Sequence, residues 1–274
     1  MAGFLAAVAN RFSGLIFFLC CLTTIFLQVL SNLANDYGDS IHGADHAGRT
    51  GPLRAVQSGI ISSGQMKKAI ALFVILCLVS GVSLLLVSFG PDWSSVLFFF
   101  VLGLLSIAAA IAYTAGKKPY GYAGLGDLSV LIFFGCVGVM GSLYLFTKAV
   151  KMDDLLPALS CGFFSIAVLN INNIRDIESD RTAGKFSIPV RIGRDNAILY
   201  HWFLLGSGWV AGVVYTLINY QTPFQFLFLI AAPLFIFNGL AVSRKPSSEL
   251  DPYLKQMALS TLLFVILFGI GNLL

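Results

Sequence analysis

Charge is what this sequence has least of. Asp, Glu, Lys and Arg make up 11% of its 274 residues, against about 25% in an ordinary soluble domain. Such a chain cannot clothe a water-facing surface. Its 57% hydrophobic content and mean hydropathy of +0.86 place it in the membrane class. Histidine is scarce too. Only His42, His46 and His201 occur. His42 and His46 lie four apart, but Gly43 between them weakens any helix there, so the sequence offers no zinc site. Cys20, Cys21, Cys77, Cys136 and Cys161 contain no CxxC pair and lie in apolar stretches, so they read as small buried hydrophobes. No basic run stands out and the net charge is a modest +4, which gives no electrostatic case for nucleic acid. The first residues lack the charged, apolar and cleavable pattern of a secretory signal.

What is present in quantity is long apolar runs. A helix needs about 20 apolar residues to cross the hydrocarbon core. Eight stretches qualify: Gly14–Asn35, Met66–Phe89, Trp93–Tyr113, Asp127–Phe146, Leu155–Asn173, Ala197–Leu217, Pro223–Val242 and Tyr253–Leu273. Phe89–Trp93 and Ile218–Pro223 read as tight turns, whereas Asp36–Gln65, Thr114–Gly126, Ile174–Asn196 and Ser243–Pro252 are longer and polar. Of the 17 Lys and Arg, all but Arg11, Lys148 and Lys151 fall on the side of the polar loops. Positive charge accumulates on the cytoplasmic side of membrane proteins, so the polar loops are expected in the cytoplasm and both termini outside. The expectation is an all-α, multi-pass protein of the cell inner membrane, with residues 1–274 as one domain. Residues 1–13, Ala-rich and too short to span, read as the remnant of a further, first helix.

Two helix ends carry oxygen in excess. The first span ends in Gln28, Asn32, Asn35, Asp36 and Asp39, which fall near one helical stripe, with Asp45 a short way on. Acids at the end of an apolar membrane helix are costly and usually functional. The fifth span ends in Asn170, Asn172, Asn173, Asp176, Glu178 and Asp180, where Asn172, Asp176 and Asp180 repeat every four residues and are expected on one face of one helix end. Carboxylate and amide oxygens are the hard ligands that Mg²⁺ prefers. Two acidic clusters on the same side of the membrane would repel unless a cation lay between them. Mg²⁺ bridging a diphosphate meets that need. Arg49 and Arg54 follow the first cluster, and Arg175, Arg181, Lys185 and Arg191 accompany the second, as donors to phosphate oxygens. A third polar loop, Tyr113–Asp127, supplies Tyr113, Lys117, Lys118, Tyr120, Tyr122 and Asp127, a set suited to a planar acidic acceptor or a phosphate.

At this point the residues resemble a known family. Asn32-Leu-Ala-Asn-Asp-Tyr-Gly-Asp39 with Asp45, paired with Asn172-Asn-Ile-Arg-Asp-Ile-Glu-Ser-Asp180, looks like the UbiA superfamily of intramembrane aromatic prenyltransferases. Gly51-Pro-Leu-Arg54, Gln57-Ser-Gly59, Gly124-Leu-Gly-Asp127, Asp180-Arg-x-x-Gly-Lys185 and Pro189-Val-Arg-Ile-Gly193 extend the resemblance towards the branch that acts on 1,4-dihydroxy-2-naphthoate in menaquinone synthesis. It covers residues 14–274. The resemblance implies a bundle of nine helices around a central cavity, here with eight complete spans. It also implies Mg²⁺ and two substrates, a polyprenyl diphosphate and 1,4-dihydroxy-2-naphthoate. Asp36, Asp39, Asp176 and Asp180 would be catalytic through the metal. Asn32, Asn35, Arg54, Tyr113, Lys118, Asp127, Asn172, Asn173, Lys185 and Arg191 would bind substrate. The family's opening helix with an Arg-Pro-x-Thr-like stretch is not found in this sequence.

The implied chemistry is ionisation of an allylic diphosphate, attack by the electron-rich ring, and loss of carbon dioxide and a proton. Within the family, 4-hydroxybenzoate, homogentisate, haem or a chlorophyll precursor are the alternative acceptors. A CDP-alcohol phosphotransferase would keep its acids in one compact motif, whereas these are split between distant segments. A cation-coupled transporter would place acids at the midplane on broken helices, not at helix ends. Beyond the lipid bilayer, nothing in the sequence points to an obligate protein partner.

Overall fold

The computed structural model describes residues 1–42, 56, 58–116 and 118–274. Without water in the hydrocarbon region, backbone N–H and C=O groups must pair within the chain, and helices do this segment by segment. No strand occurs among the described residues. The helices are α1 (Ala2–Val8), α2 (Gly14–His42), α3 (Ser63–Phe89), α4 (Trp93–Ala112), α5 (Gly126–Thr147), α6 (Leu155–Arg175), α7 (Ile177–Thr182), α8 (Ile188–Ile218), α9 (Pro223–Arg244) and α10 (Asp251–Leu273). Eight of these are long and apolar enough to cross a membrane, from α2 to α6 and from α8 to α10. They match the eight expected spans. Two starts or ends differ usefully: α2 continues past Asn35 to His42, and α8 begins at Ile188 rather than Ala197.

Local chemistry sets several ends. Ser62 caps α3, its Oγ accepting from Gln65 N at 3.3 Å while Gln65 Oε1 accepts from Ser62 N at 2.8 Å. Asp92 does the same for α4 through Ser95 N at 3.2 Å. Gly193, at φ +78°, kinks α8 in a left-handed conformation that a side chain would oppose. The kink separates the amphipathic turn carrying Arg191 from the apolar span.

The chain divides into two compact units. One comprises Ser13–Gly126 and Glu178–Ser187. In it α2, α3 and α4 pack around Leu30, Cys77 and Ile107. Lys67 at the start of α3 sits 5.6 Å over the Tyr37 ring of α2, a cation–π contact near the polar end of both helices. The other comprises Met1–Phe12, Asp127–Ile177 and Ile188–Leu274. Its central helix is α6, 61% of whose most apolar stretch is buried, against none of that of α4 in the other unit. An aromatic core surrounds it. Phe164 lies 4.6 Å from Phe235 and 5.1 Å from Phe264 between ring centres, and Trp209 lies 5.2 Å from each of the latter two. Gly208 admits the Phe164 ring, since a Cβ there would come within 2.3 Å of it. Gly135 and Gly162 likewise let α5 and α6 approach closely, as small residues do in membranes. The short α1 packs in this unit, with Phe4 seated over Gly269 of α10.

Candidate active site

The oxygen-rich end of α2 is held by the Tyr113–Gly126 segment. Thr114 Oγ1 donates to Ala34 O and to Asn35 Oδ1, both at 3.0 Å. Gly38 makes this approach possible. A Cβ there would lie 2.5 Å from the Thr114 carbonyl carbon, so no larger residue fits unless the segment moves. Three residues before the end of α2, buried Asp39 accepts from the Tyr122 hydroxyl at 2.9 Å. Tyr122 also touches the second acidic motif: its carbonyl accepts from Phe186 N at 2.9 Å. Next to Phe186, buried Lys185 pairs with buried Asp180 at 3.2 Å, and Lys185 N donates to Asp180 O at 2.8 Å. One tyrosine therefore joins Asp39 of the first motif to the turn carrying Asp180 and Lys185 of the second. Tyr113 stacks edge-on against Tyr120, Asn32 accepts from Gln28 at 3.4 Å, and Lys118 is exposed.

In the other unit, the end of α6 departs from expectation. Asn172, Asp176 and Asp180 do not share one helical face. The α-helix stops at Arg175, Asp176 leaves the helical region at φ −100°, ψ 12°, and Asp180 stands on the separate short helix α7. Asn and Asp have poor helix propensity because their side chains compete for nearby hydrogen bonds. Here the competitor is visible. Arg175 folds back so that its Nε and Nη2 each lie 2.8 Å from an Asp176 oxygen. Nη2 also donates to Asn172 Oδ1 at 2.8 Å, and Nη1 to Asp251 of α10. Asn170 donates to Ala197 O at 3.0 Å. Buried Asn173 keeps an Oδ1 with no hydrogen-bond partner among the described residues.

Asp127, at the first turn of α5, is buried and accepts from the Tyr200 hydroxyl at 2.7 Å. Arg191 is exposed on the first turns of α8. Arg49, Arg54, Asp45, His46, Gln57 and Lys117 lie outside the described residues.

Two of the acids expected to need a metal against mutual repulsion have cations from this chain, Arg175 for Asp176 and Lys185 for Asp180. Sequence reasoning treated both cations as phosphate donors and passed over Thr114, Tyr200 and Asp251. The adjacency of Arg175 and Asp176 was the one signal available. The others depend on contacts between residues distant in sequence. Among the described residues no three His, Cys, Asp or Glu converge as a metal cage. Mg²⁺ uses only one or two carboxylates and fills its other positions with water and phosphate oxygens. The donor chemistry, carboxylate and amide oxygens with the orphaned Asn173 Oδ1, suits that ion.

Known proteins are similar to this chain in sequence and in fold. The chain is 45% identical over 264 residues to a 1,4-dihydroxy-2-naphthoate octaprenyltransferase of Haemophilus influenzae, covering 96% of this chain and 85% of that protein. It is 43% identical over 263 residues to the Escherichia coli protein of the same name, with the same coverage. A 2-carboxy-1,4-naphthoquinone phytyltransferase of Synechocystis is 26% identical over 82% of this chain and 70% of that protein. In fold, a solved structure of digeranylgeranylglyceryl phosphate synthase superposes with a TM-score of 0.60, over 99% of this chain and 90% of that one, at 18% identity. The pattern of the UbiA prenyltransferase family matches residues 1–268. With paired acidic motifs on an all-helical membrane fold and a family match over nearly its full length, this chain belongs to the UbiA prenyltransferase family.

Proposed function

We propose that this protein transfers a polyprenyl group from polyprenyl diphosphate to 1,4-dihydroxy-2-naphthoate, with loss of carbon dioxide, to give a demethylmenaquinone in its quinol form. The observation that carries this reading is the 45% and 43% identity, over 96% of the chain, to proteins named for that acceptor. The site supports it. Asp36 and Asp39 stand at the polar end of α2 and Asn172, Asn173 and Asp176 at that of α6, with Arg175 paired to Asp176 and Lys185 to Asp180.

The reaction breaks the allylic C–O bond, and the electron pair leaves with the diphosphate. A ring carbon supplies the pair for the new C–C bond, and carbon dioxide and a proton depart from the acceptor. Asp36, Asp39, Asp176 and Asp180 would hold Mg²⁺, which when bound supplies Lewis-acid neutralisation of the leaving diphosphate. Lys185 and Arg191 add N–H donors to the same oxygens, Lys185 exchanging Asp180 for phosphate. Asn32, Asn35, Asn172 and Asn173 orient diphosphate and water, and Arg54 adds a cation. Tyr113, Lys118 and Asp127 serve the acidic acceptor. The lipid setting suits a long isoprenyl tail, since each Å² kept from water is worth about 25 cal/mol. Exclusion of water also protects an allylic cation from hydrolysis. The excess of Lys and Arg in the polar loops supports a cytoplasmic site in the cell inner membrane.

The test is mass spectrometry of products from purified protein given a polyprenyl diphosphate and one acceptor at a time. The expected product forms with 1,4-dihydroxy-2-naphthoate and carries the mass of the acceptor acid plus the prenyl group minus carbon dioxide and one hydrogen. Prenylation of 4-hydroxybenzoate or homogentisate instead would overturn the assignment.

A further inference from the structure

Arg175 spends its donors in an unusual way for a residue beside an acidic motif. Its fork is rigid and planar, with five N–H groups in fixed directions. The Nε and Nη2 groups meet both oxygens of Asp176, and Nη2 also meets Asn172. This leaves the outer edge, and there Nη1 meets Asp251, the first residue of α10. Asn172 lies on α6, Asp176 at its end and Asp251 on α10, far apart in sequence, so the plane of one guanidinium fixes them together.

The burial is uneven. The side chains of Arg175 and Asp176 are each 4% exposed, whereas that of Asp251 is 49% exposed. A buried carboxylate matched one-to-one by a buried guanidinium is neutral as a pair and a weak ligand for a cation. A second carboxylate on the far side of the guanidinium changes this. It shares the positive charge and leaves the trio with net −1. Asp251 can carry that charge cheaply because it meets water and stands at a helix N-terminus, where the dipole favours an anion.

We infer that Asp251 is a positioning residue for the second acidic motif: through Arg175 it orients Asp176 and Asn172 and keeps their oxygens electronegative enough to receive a divalent cation. The inference rests on the proposed function in that it takes Asp176 as a ligand of the cation. Asp251 itself touches neither substrate nor metal. Groups that hold a ligand in place typically change metal affinity 10- to 100-fold when lost, and the half-exposed position of Asp251 puts it at the lower end.

The test uses the full chain in detergent with Mn²⁺ as probe, free Mn²⁺ being counted by electron paramagnetic resonance in the presence of inorganic diphosphate. Asp251→Asn preserves shape and removes one charge, and should weaken Mn²⁺ binding about 10-fold. The Mg²⁺ needed for half-maximal prenyl transfer should rise in parallel, with the acceptor KM unchanged. Asp251→Glu restores the charge and should keep the wild-type affinity. This variant also tests the inference if Asp251→Asn fails to fold. Glu249→Gln removes a charge from the same connection, where it pairs with Lys245 at 2.8 Å, and should change nothing. Equal Mn²⁺ affinity in wild type and Asp251→Asn would overturn the inference while leaving the proposed function standing, as would a loss of affinity in Asp251→Glu. A wild type that transfers prenyl groups to no naphthoate would sink the proposed function itself.

Discussion

Side chains at the two motifs are distinguished by what replaces them when lost. Asp36 is half-buried at the end of α2, and Asp176 is buried against Arg175. If these carboxylates hold the proposed Mg²⁺, removing one should cost several kcal/mol of transition-state stabilisation, and about 1.4 kcal/mol is tenfold in rate. Asp36→Ala and Asp176→Ala should each therefore fall below a tenth of wild-type turnover. Stability should separate them. Asp176→Ala takes from a buried guanidinium one of its two carboxylate partners, and breaking a buried pair from one side costs up to about 3–5 kcal/mol, so it should lower the thermal midpoint in detergent clearly. Asp36→Ala, at a half-buried position, should lower it less. Turnover above a tenth in both variants would remove the acids from the metal site. Tyr122 makes a subtler case. Its hydroxyl is the donor seen on buried Asp39, and a hydrogen bond to a charged group is worth about 1.5–3 kcal/mol. Tyr122→Phe should lose activity at limiting Mg²⁺ and recover most of it at saturating Mg²⁺. Unchanged Mg²⁺ dependence would mean that Tyr122 only packs.

Helices and turns carry constraints that no single polar contact shows. The close seat of Thr114 on α2 requires Gly38, because a Cβ would lie 2.5 Å from both the carbonyl carbon and oxygen of Thr114. Overpacking of this kind costs about 1–3 kcal/mol. Gly38→Ala should push the Tyr113–Gly126 segment away and weaken the Tyr122–Asp39 bond with it. The expected readout is a lower thermal midpoint together with a raised Mg²⁺ requirement. A drop in stability alone would uncouple the seat from the site. The break after Arg175 belongs to the same scale. An uninterrupted helix would have carried Asp180 on the face of Asn172 and Asp176. The turn at Asp176 instead hands Asp180 to the segment that Tyr122 holds.

Across the whole chain, the distribution of Lys and Arg sets a direction that packing does not. Lys118 is exposed in the third polar loop, and Met152, 86% exposed, precedes α6 at its opposite end. With the polar loops in the cytoplasm, a cysteine replacing Lys118 should react with a membrane-impermeant maleimide in inside-out vesicles. One replacing Met152 should react only in right-side-out cells. The reverse pattern would invert the topology. The proposed dependence on a divalent cation is tested on the assembled protein. Excess EDTA should abolish transfer, and Mg²⁺ should restore it, since oxygen-only donors favour that ion over zinc. Full turnover in EDTA would exclude the metal.

The sequence by itself determined the number and position of the spans, because about 20 apolar residues are needed to cross a bilayer and nothing else in the chain is apolar for so long. It also determined the acids, since Asp36, Asp39, Asp176 and Asp180 stand out against a background of 11% charge. Spacing could name these residues without saying what each one faces. Only the tertiary structure decided that Arg175 is buried on Asp176 and Asp251 rather than turned to a phosphate, and that Lys185 rests on Asp180. It also decided that Tyr122 joins Asp39 to the turn of Lys185, and Tyr200 reaches Asp127. These partners lie up to 83 positions apart. Helical periodicity relates residues within a few turns, whereas buried polar groups take whatever partner the packing brings near, because leaving them unpaired in a low-dielectric interior costs too much.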